Sequence, residues 1–136
     1  MWLKAAILPP SVTAGGVATL LLKICLAPGF RLFAEVPADQ DYLQTSIGLE
    51  ASDGVSFIQA MEKSVPMPYA YLAPGVFVYE DDLAFAQLLC INPDCSGQQQ
   101  VKVTVGYQVC EGSICFAPQE EALSVSIGVT QGTAEE

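Results

Sequence analysis

The residues in this sequence that could do chemistry are its five cysteines, because the 136-residue chain contains no histidine. Without histidine, Ser-His-Asp and Cys-His catalysis and histidine-based metal sites are excluded. Four of the cysteines form two pairs with the same spacing, Cys90 with Cys95 and Cys110 with Cys115, and Cys25 is the odd one. Paired cysteines in a β-rich chain favour an oxidising compartment and indicate disulfides.

The pair Cys110 and Cys115 encloses the loop Glu111-Gly112-Ser113-Ile114, which is centred on good turn residues. In a hairpin the two Cα atoms would lie roughly 4.5–5.5 Å apart, which a disulfide accepts. The closed loop is so short that the bridge would stabilise the fold by only about 2 kcal/mol. The spacing leaves two interpretations open, a redox-active pair on an exposed turn and a plain hairpin staple.

The flanking segments alternate between apolar and polar residues, in Val101–Val109 before the loop and Leu123–Val129 after it. Period-two alternation indicates strands with one buried face. Seven or more such short strands, separated by turns, predict an all-β, immunoglobulin-like antiparallel β-sandwich, with a closed barrel as the alternative. We expect the domain to span residues 17–130. Residues 1–16 are expected to form a loosely held amino-terminal segment with one edge strand, and residues 131–136 a tail or linker.

The composition limits the partners. Apolar residues make up 51% of the chain, and 15 acidic against 5 basic residues give a net charge of −10. This charge argues against nucleic acid and anionic membrane surfaces. The longest apolar stretch, Val17–Ala27, is too short to span a bilayer. No leader peptide is visible, so for an exported protein we expect the leader to have been removed from this sequence.

Two segments carry a family resemblance. Tyr107-Gln108-Val109-Cys110 followed by Cys115-Phe116-Ala117-Pro118-Gln119 resembles the signature of the N-terminal periplasmic domain of the thiol:disulfide interchange protein DsbD. A second segment, Leu26-Ala27-Pro28-Gly29-Phe30-Arg31-Leu32-Phe33, resembles the early Pro-Gly-aromatic segment of the same family. The two segments stand in the order that the family shows.

The resemblance implies a protein-disulfide reductase domain, a thiol:disulfide oxidoreductase, that needs no cofactor and no metal. Cys115 would form the mixed disulfide with partners, and Cys110 would resolve it. Electrons would come from a thioredoxin-like domain of the same membrane system and pass to oxidised periplasmic proteins, such as a disulfide isomerase or a cytochrome c maturation protein. The location would be periplasmic, with membrane attachment only through a following domain of an inner-membrane protein.

The resemblance also implies a cap loop that shields the cysteine pair and moves aside for a partner. The apolar, proline-rich segment from Pro68 to Gly75 is in the right place in the order, and Tyr69, Tyr71 and Leu72 are its expected shields. Some relatives carry acidic residues just before the cap aromatics, and Pro68-Tyr69-Ala70 has none. The alternative is an ordinary hydrophobic edge loop.

The local charges of the loop favour a passive electron carrier. The loop contains no Lys, Arg or His to lower a thiol pKa, and Glu111 would raise the pKa of the adjacent Cys110. We therefore expect the pair to be attacked by a more reactive partner thiolate.

For Cys90 and Cys95 the sequence predicts a structural disulfide across the Asn92-Pro93 turn. A second redox pair and a zinc site that uses all four paired cysteines are the alternatives. Cys25 is expected to be a small buried or half-buried apolar residue, with a role as a third redox group as the alternative. The acidic run Glu80-Asp81-Asp82 is interpreted as a solvated bend.

Two rival functions remain open at this level. One is a disulfide-stapled immunoglobulin-like binding module without redox activity, and the other is a metal-binding β-domain.

Overall fold

The computed structural model describes residues 1–69 and 72–131, and the regular elements in these two ranges are all β-strands. Alternating apolar residues account for the long strands, because every second side chain can be buried on one face of a sheet. The strands are β1 Trp2–Leu8, β2 Ser11–Thr13, β3 Val17–Cys25, β4 Phe30–Glu35, β5 Ser46–Ala51, β6 Val55–Lys63, β7 Met67–Pro68, β8 Phe77–Glu80, β9 Leu83–Ile91, β10 Gly97–Tyr107, β11 Val109–Glu111, β12 Ile114–Cys115 and β13 Gln119–Thr130.

The strands form three sheets, with the orders β1-β3-β9-β6, β2-β13-β10-β5 and β12-β11-β4-β8-β7. Neighbouring strands run antiparallel except β13 and β2, which are parallel. The predicted fold class is confirmed: the chain is an immunoglobulin-like antiparallel β-sandwich. Within the described residues each sheet is an open ribbon with two edges, so the alternative of a closed barrel is not formed.

The main core lies between the long strands of the first two sheets. On β10 the alternating residues Val101, Val103 and Val105 have no exposed surface, and on β3 the buried face consists of Ala18, Leu20, Leu22 and Ile24. Burying one such side chain stabilises the fold by about 1.5–3 kcal/mol relative to leaving it in water. The β10 face is the one that the alternation in Val101–Val109 predicted.

The amino-terminal segment is built into the sandwich. β1 pairs with β3 from Trp2 opposite Cys25 to Leu8 opposite Thr19, and β2 runs beside β13. Residues 1–16 therefore supply an edge strand to each of two sheets. The proposed domain boundaries stay a prediction, and residues 132–136 of the predicted tail lie outside the described residues.

The third sheet has apolar residues on both faces. Leu32 on β4 is paired with Tyr79 and Val109, and all three pack into the main core. The next residue, Phe33, is paired with Val78 and points to the opposite face, because side chains alternate along a strand. On that face Phe33, Val76, Val78 and Cys110 form a second, smaller buried cluster.

No helix in the described ranges has the length and apolar composition needed to cross a membrane.

Candidate functional site

Cys110 and Cys115 are joined by a disulfide at the tip of the β11–β12 hairpin. The two residues are direct cross-strand partners, and their Cα atoms lie 4.0 Å apart, slightly closer than the sequence-based expectation. The turn between them depends on Gly112, whose φ of 60° lies in the left-handed region that glycine enters without strain. The hairpin therefore forms as the spacing predicts.

The disulfide lies on the outer face of the third sheet. Across β12, β11 and β4 the residues Cys115, Cys110 and Arg31 stand in one row, each opposite the next. Directly opposed residues in antiparallel strands project to the same face. The sulfur atoms therefore face away from the main core and towards the second cluster.

The disulfide is less exposed than a bridge on a free turn, which corrects the expectation from the sequence. Cys110 is only 3% exposed, because it packs in the second cluster with Phe33, Val76 and Val78. Cys115 is half-buried. A cleft of about 300 Å³ opens onto both cysteines, so the pair is recessed but remains in contact with a solvent-accessible space.

Two of the three residues predicted to shield the pair lie at this cleft. Tyr69 and Leu72 line it together with both cysteines, while Tyr71 lies outside the described residues. Tyr69 is held in place by a backbone hydrogen bond from its N–H to the carbonyl of Val76. The segment is therefore anchored to the third sheet on one side and borders the disulfide on the other.

A stacked pair of aromatic rings also lines the cleft. The rings of Phe33 and Tyr42 stack with centroids 4.8 Å apart, and both side chains line the cleft. Tyr42 belongs to the connection between β4 and β5, for which the sequence suggested no role at the site.

Arg31 also lies at this cleft, and the sequence suggested no role for it there. Its Nη2 donates a hydrogen bond to the Gly112 carbonyl oxygen at 2.7 Å, and its guanidinium carbon lies 4.3 Å from the centroid of the Tyr69 ring. The sequence-based expectation considered only charges within the loop, so it found no cation near the thiols. The sequence did place Arg31 in the Pro-Gly-aromatic segment that carries the family resemblance. That position alone does not reveal that Arg31 is paired with Cys110.

The side chains of Tyr107 and Gln108, just before Cys110, make hydrogen bonds that stabilise the region around the hairpin. The buried Gln108 side chain donates from Nε2 to the Phe116 carbonyl oxygen and accepts at Oε1 from the Leu43 N–H, at 3.1 and 2.9 Å. It thereby ties the second half of the hairpin to the β4–β5 connection. Tyr107 Oη donates to Glu121 Oε2 at 2.6 Å. Burial and the adjacent carboxylate raise the pKa of Tyr107 to about 12.

The predicted structural disulfide between Cys90 and Cys95 is not formed; both residues are free thiols. Cys90 is on the outer face of β9, between the buried Leu89 and Ile91. Cys95 follows the turn and points into the main core. The two side chains therefore leave the chain on opposite sides of the first sheet.

The remaining cysteine behaves as the sequence predicted for a half-buried apolar residue. Cys25 ends β3 as a half-buried free thiol. Burial and the nearby Asp82 raise the pKa of this thiol.

Residues 1–69 and 72–131 contain no group of three His, Cys, Asp or Glu side chains close enough to hold one metal ion. Two of the four cysteines of the zinc alternative are instead bonded to each other. Glu80 ends β8, Asp81 and Asp82 follow it before β9, and all three side chains are exposed, as predicted.

The sequence model of the family described as "Thiol:disulfide interchange protein DsbD, N-terminal" matches residues 4–127. No curated protein matches the chain. Among solved structures, the chain is similar to AggA, the major subunit of aggregative adherence fimbriae type I from Escherichia coli. The identity is 11% and the TM-score 0.42, over 96% of this chain and 97% of that chain.

Proposed function

Because the chain belongs to the family of DsbD N-terminal domains, we propose that it relays electrons through the Cys110–Cys115 disulfide. The electrons come from a thioredoxin-like domain of the same membrane system, and they pass to oxidised proteins of the periplasm. Among these are disulfide isomerases and cytochrome c maturation proteins. Family membership supports the class of reaction, and the surroundings of the disulfide support the assignment of these two cysteines.

The observation that carries the proposal is the position of the bridge. A disulfide needed only as a staple requires neither a cleft nor a covering segment. Here the pair borders a cleft of about 300 Å³ that is also lined by Tyr69 and Leu72. The short loop also limits what the bridge adds to stability, to about 2 kcal/mol.

The reaction proceeds by two thiol–disulfide exchanges. A partner thiolate attacks Sγ of Cys115, the Cys115–Cys110 bond breaks, and its electron pair remains on Sγ of Cys110 as a thiolate. The second thiolate of the partner then attacks the partner sulfur of the mixed disulfide and releases the Cys115 thiolate. The partner has become a disulfide, and the domain has gained two electrons as a dithiol after proton uptake. The reverse sequence reduces a client disulfide.

Cys115 is the better target for the incoming thiolate because it is the more accessible of the two. It is half-buried, whereas Cys110 is 3% exposed. The neighbouring side chains of Ile114 and Phe116 are 63% and 47% exposed. Exposed apolar side chains around a reactive sulfur provide a surface on which a partner protein can dock.

The segment that contains Tyr69 and Leu72 acts as a cap in this proposal. It limits access of small thiols and oxidants to the disulfide, and it moves aside when a partner docks. Leu72, which is 37% exposed, forms the outer part of this cover.

The test is to substitute each cysteine of the pair and to follow reduction of the domain by a thioredoxin-like protein. Cys115→Ser is expected to abolish electron transfer and to form no mixed disulfide. Cys110→Ser is expected to trap a mixed disulfide when it is mixed with an oxidised client protein: the Cys115 thiolate attacks the client disulfide, the second client sulfur leaves as a thiolate, and Cys110 is not there to release the client. The matched control is Cys90→Ser, which makes the same substitution on the outer face of β9. It is expected to leave electron transfer unchanged.

Loss of stability without loss of electron transfer in the Cys110 and Cys115 variants would instead favour the disulfide-stapled binding module. Denaturant unfolding of the same three variants measures that stability.

A further inference from the structure

The row of residues that contains the disulfide also contains a cation. Arg31 is opposite Cys110 on the neighbouring strand, and Cys110 is opposite Cys115, so the three side chains project to the same face of the third sheet. Arg31 and both cysteines also line the same cleft.

Two contacts hold the guanidinium at this place. It donates to the Gly112 carbonyl oxygen in the disulfide loop, and it lies over the ring of Tyr69 in the covering segment. A guanidinium stacked on an aromatic face and hydrogen-bonded at its edge is restricted in both position and orientation. Arg31 is therefore fixed between the loop and its cover.

The exchange reaction needs a positive charge here. When a partner thiolate attacks Cys115, the electron pair of the broken bond remains on the sulfur of Cys110, which is 3% exposed and packs against Phe33 and Val78. An anion in such apolar surroundings is unfavourable, and burial alone would raise the pKa of this thiol. A poor leaving thiolate slows the exchange.

The other ionisable groups around this face do not supply that charge. Glu80 is opposite Arg31 on β8, and Glu111 follows Cys110 on β11. Both carboxylates would disfavour a second anion nearby, and the phenol side chains of Tyr42 and Tyr69 cannot carry a positive charge. Among the described residues that line the cleft, Arg31 carries the positive charge.

We propose that Arg31 stabilises the Cys110 thiolate that is released when a partner thiolate attacks Cys115, and that Tyr69 and the Gly112 carbonyl position its guanidinium for this role. The proposal rests on the proposed function, because it assigns a residue to the same exchange. The sequence predicted no cation near the cysteine pair. In this proposal the positive charge comes from a strand that is distant in sequence.

The first measurement is the pKa of the Cys110 thiol, an equilibrium quantity that does not depend on access to the cleft. In the Cys115→Ser background Cys110 is a free thiol, and its pKa can be followed by the ultraviolet absorbance of the thiolate. Adding Arg31→Gln is expected to raise this pKa by about one unit or more, a tenfold change in the thiolate-to-thiol ratio. Arg31→Lys, which keeps the charge, is expected to restore most of the shift.

The matched control is Lys102→Gln, which removes the same charge from an exposed position on β10 in the second sheet. It is expected to leave the pKa unchanged. If Arg31→Gln does not fold, Arg31→Met, which keeps an apolar stem, gives the same comparison.

The second measurement is the rate at which dithiothreitol reduces the disulfide of the otherwise unchanged protein at pH 7. Arg31→Gln is expected to slow this reduction about tenfold, and Arg31→Lys to recover most of the rate. A pKa that is equal in the Arg31→Gln and parent proteins, with reduction rates within about twofold, overturns the inference. The proposed function is tested separately, by electron transfer in the wild-type domain. If the wild-type domain transfers electrons normally, the proposed function stands even when the role of Arg31 is disproved. If the wild-type domain accepts no electrons, the proposed function itself is overturned.

Discussion

Two pairs of cysteines in this chain share one spacing and are in opposite states. Cys110 and Cys115 are bonded, whereas Cys90 and Cys95 are free thiols. Each pair is separated by four residues and encloses a turn, so the number of intervening residues does not explain the difference.

The register of the strands explains it. Cys110 and Cys115 are opposite each other in a two-stranded hairpin, so their side chains must project to the same face. Cys90 is in the middle of the first sheet, opposite Val17 on one side and Ser56 on the other. Both cross-strand positions beside Cys90 are therefore taken, and Cys95 comes after a turn that leaves β9.

The two cysteine pairs also differ in the residues that surround them. Cys95 is part of the main core, where the constraint is close packing. Cys110 is in a small cluster on the outer face of the third sheet, next to a cleft and under a covering segment. The position of Cys110 outside the main core suits the proposed exchange, because exchange requires that a second protein reach a sulfur atom.

The largest expected difference between the pairs is their response to alkylation. When the oxidised protein is unfolded without reductant, we expect alkylation of Cys25, Cys90 and Cys95 and protection of Cys110 and Cys115. Peptide mass mapping before and after reduction makes this measurement. Protection of Cys90 and Cys95 before reduction would show that the second pair is also bridged, and the contrast would be lost.

The next effect concerns the packing of Cys95. A methyl group added at Gly54 would lie 2.5 Å from the sulfur of Cys95 and 3.0 Å from its Cβ, far closer than non-bonded atoms approach. Gly54→Ala is therefore expected to reduce the free energy of unfolding by about 1–3 kcal/mol, measured by denaturant titration. Adding Cys95→Ala removes the sulfur and should recover part of the loss.

Gly48→Ala is the matched control, because its added methyl group would make an ordinary contact 3.8 Å from Thr104. Equal stabilities of the Gly54→Ala and Gly48→Ala proteins would mean that Cys95 does not point into the core beside Gly54.

The smallest effect concerns Tyr107, which ends β10 shortly before the bonded Cys110. Tyr107 ionises near pH 10 in the unfolded chain, but its pKa in the folded protein is raised to about 12. The folded state therefore keeps its proton over a range in which the unfolded state loses it, so stability decreases as the pH rises from 10 towards 12. Below pH 10 this contribution is fully present.

Tyr107→Phe removes the hydrogen bonds to Gln119 and Glu121 and is expected to cost about 1 kcal/mol at neutral pH. It should also remove the part of the alkaline decrease that comes from this tyrosine. Unfolding curves for both proteins at several alkaline pH values measure the difference. Parallel pH profiles would contradict the assigned role of burial and Glu121.

Much of the fold could be predicted because it depends on alternation along single strands. The buried face of β10 follows from every second residue from Val101 onwards being apolar. Other features depend on distant side chains: β5 begins at Ser46, and ahead of it the Leu43 N–H is bonded to the side chain of Gln108. That side-chain contact joins residues 65 positions apart and has no local signal.

The sequence by itself determined the all-β class, the Cys110–Cys115 hairpin and the family to which its motif belongs, because all three depend on residue types at short spacings. The tertiary structure alone decided that Cys90 and Cys95 remain apart and that Arg31, 81 positions before Gly112, stands beside the disulfide. It also decided that Cys110 is buried in a second cluster and is not exposed on a free turn. The physical reason is that the pairing of distant strands sets which side chains share a face, and no short segment contains that pairing.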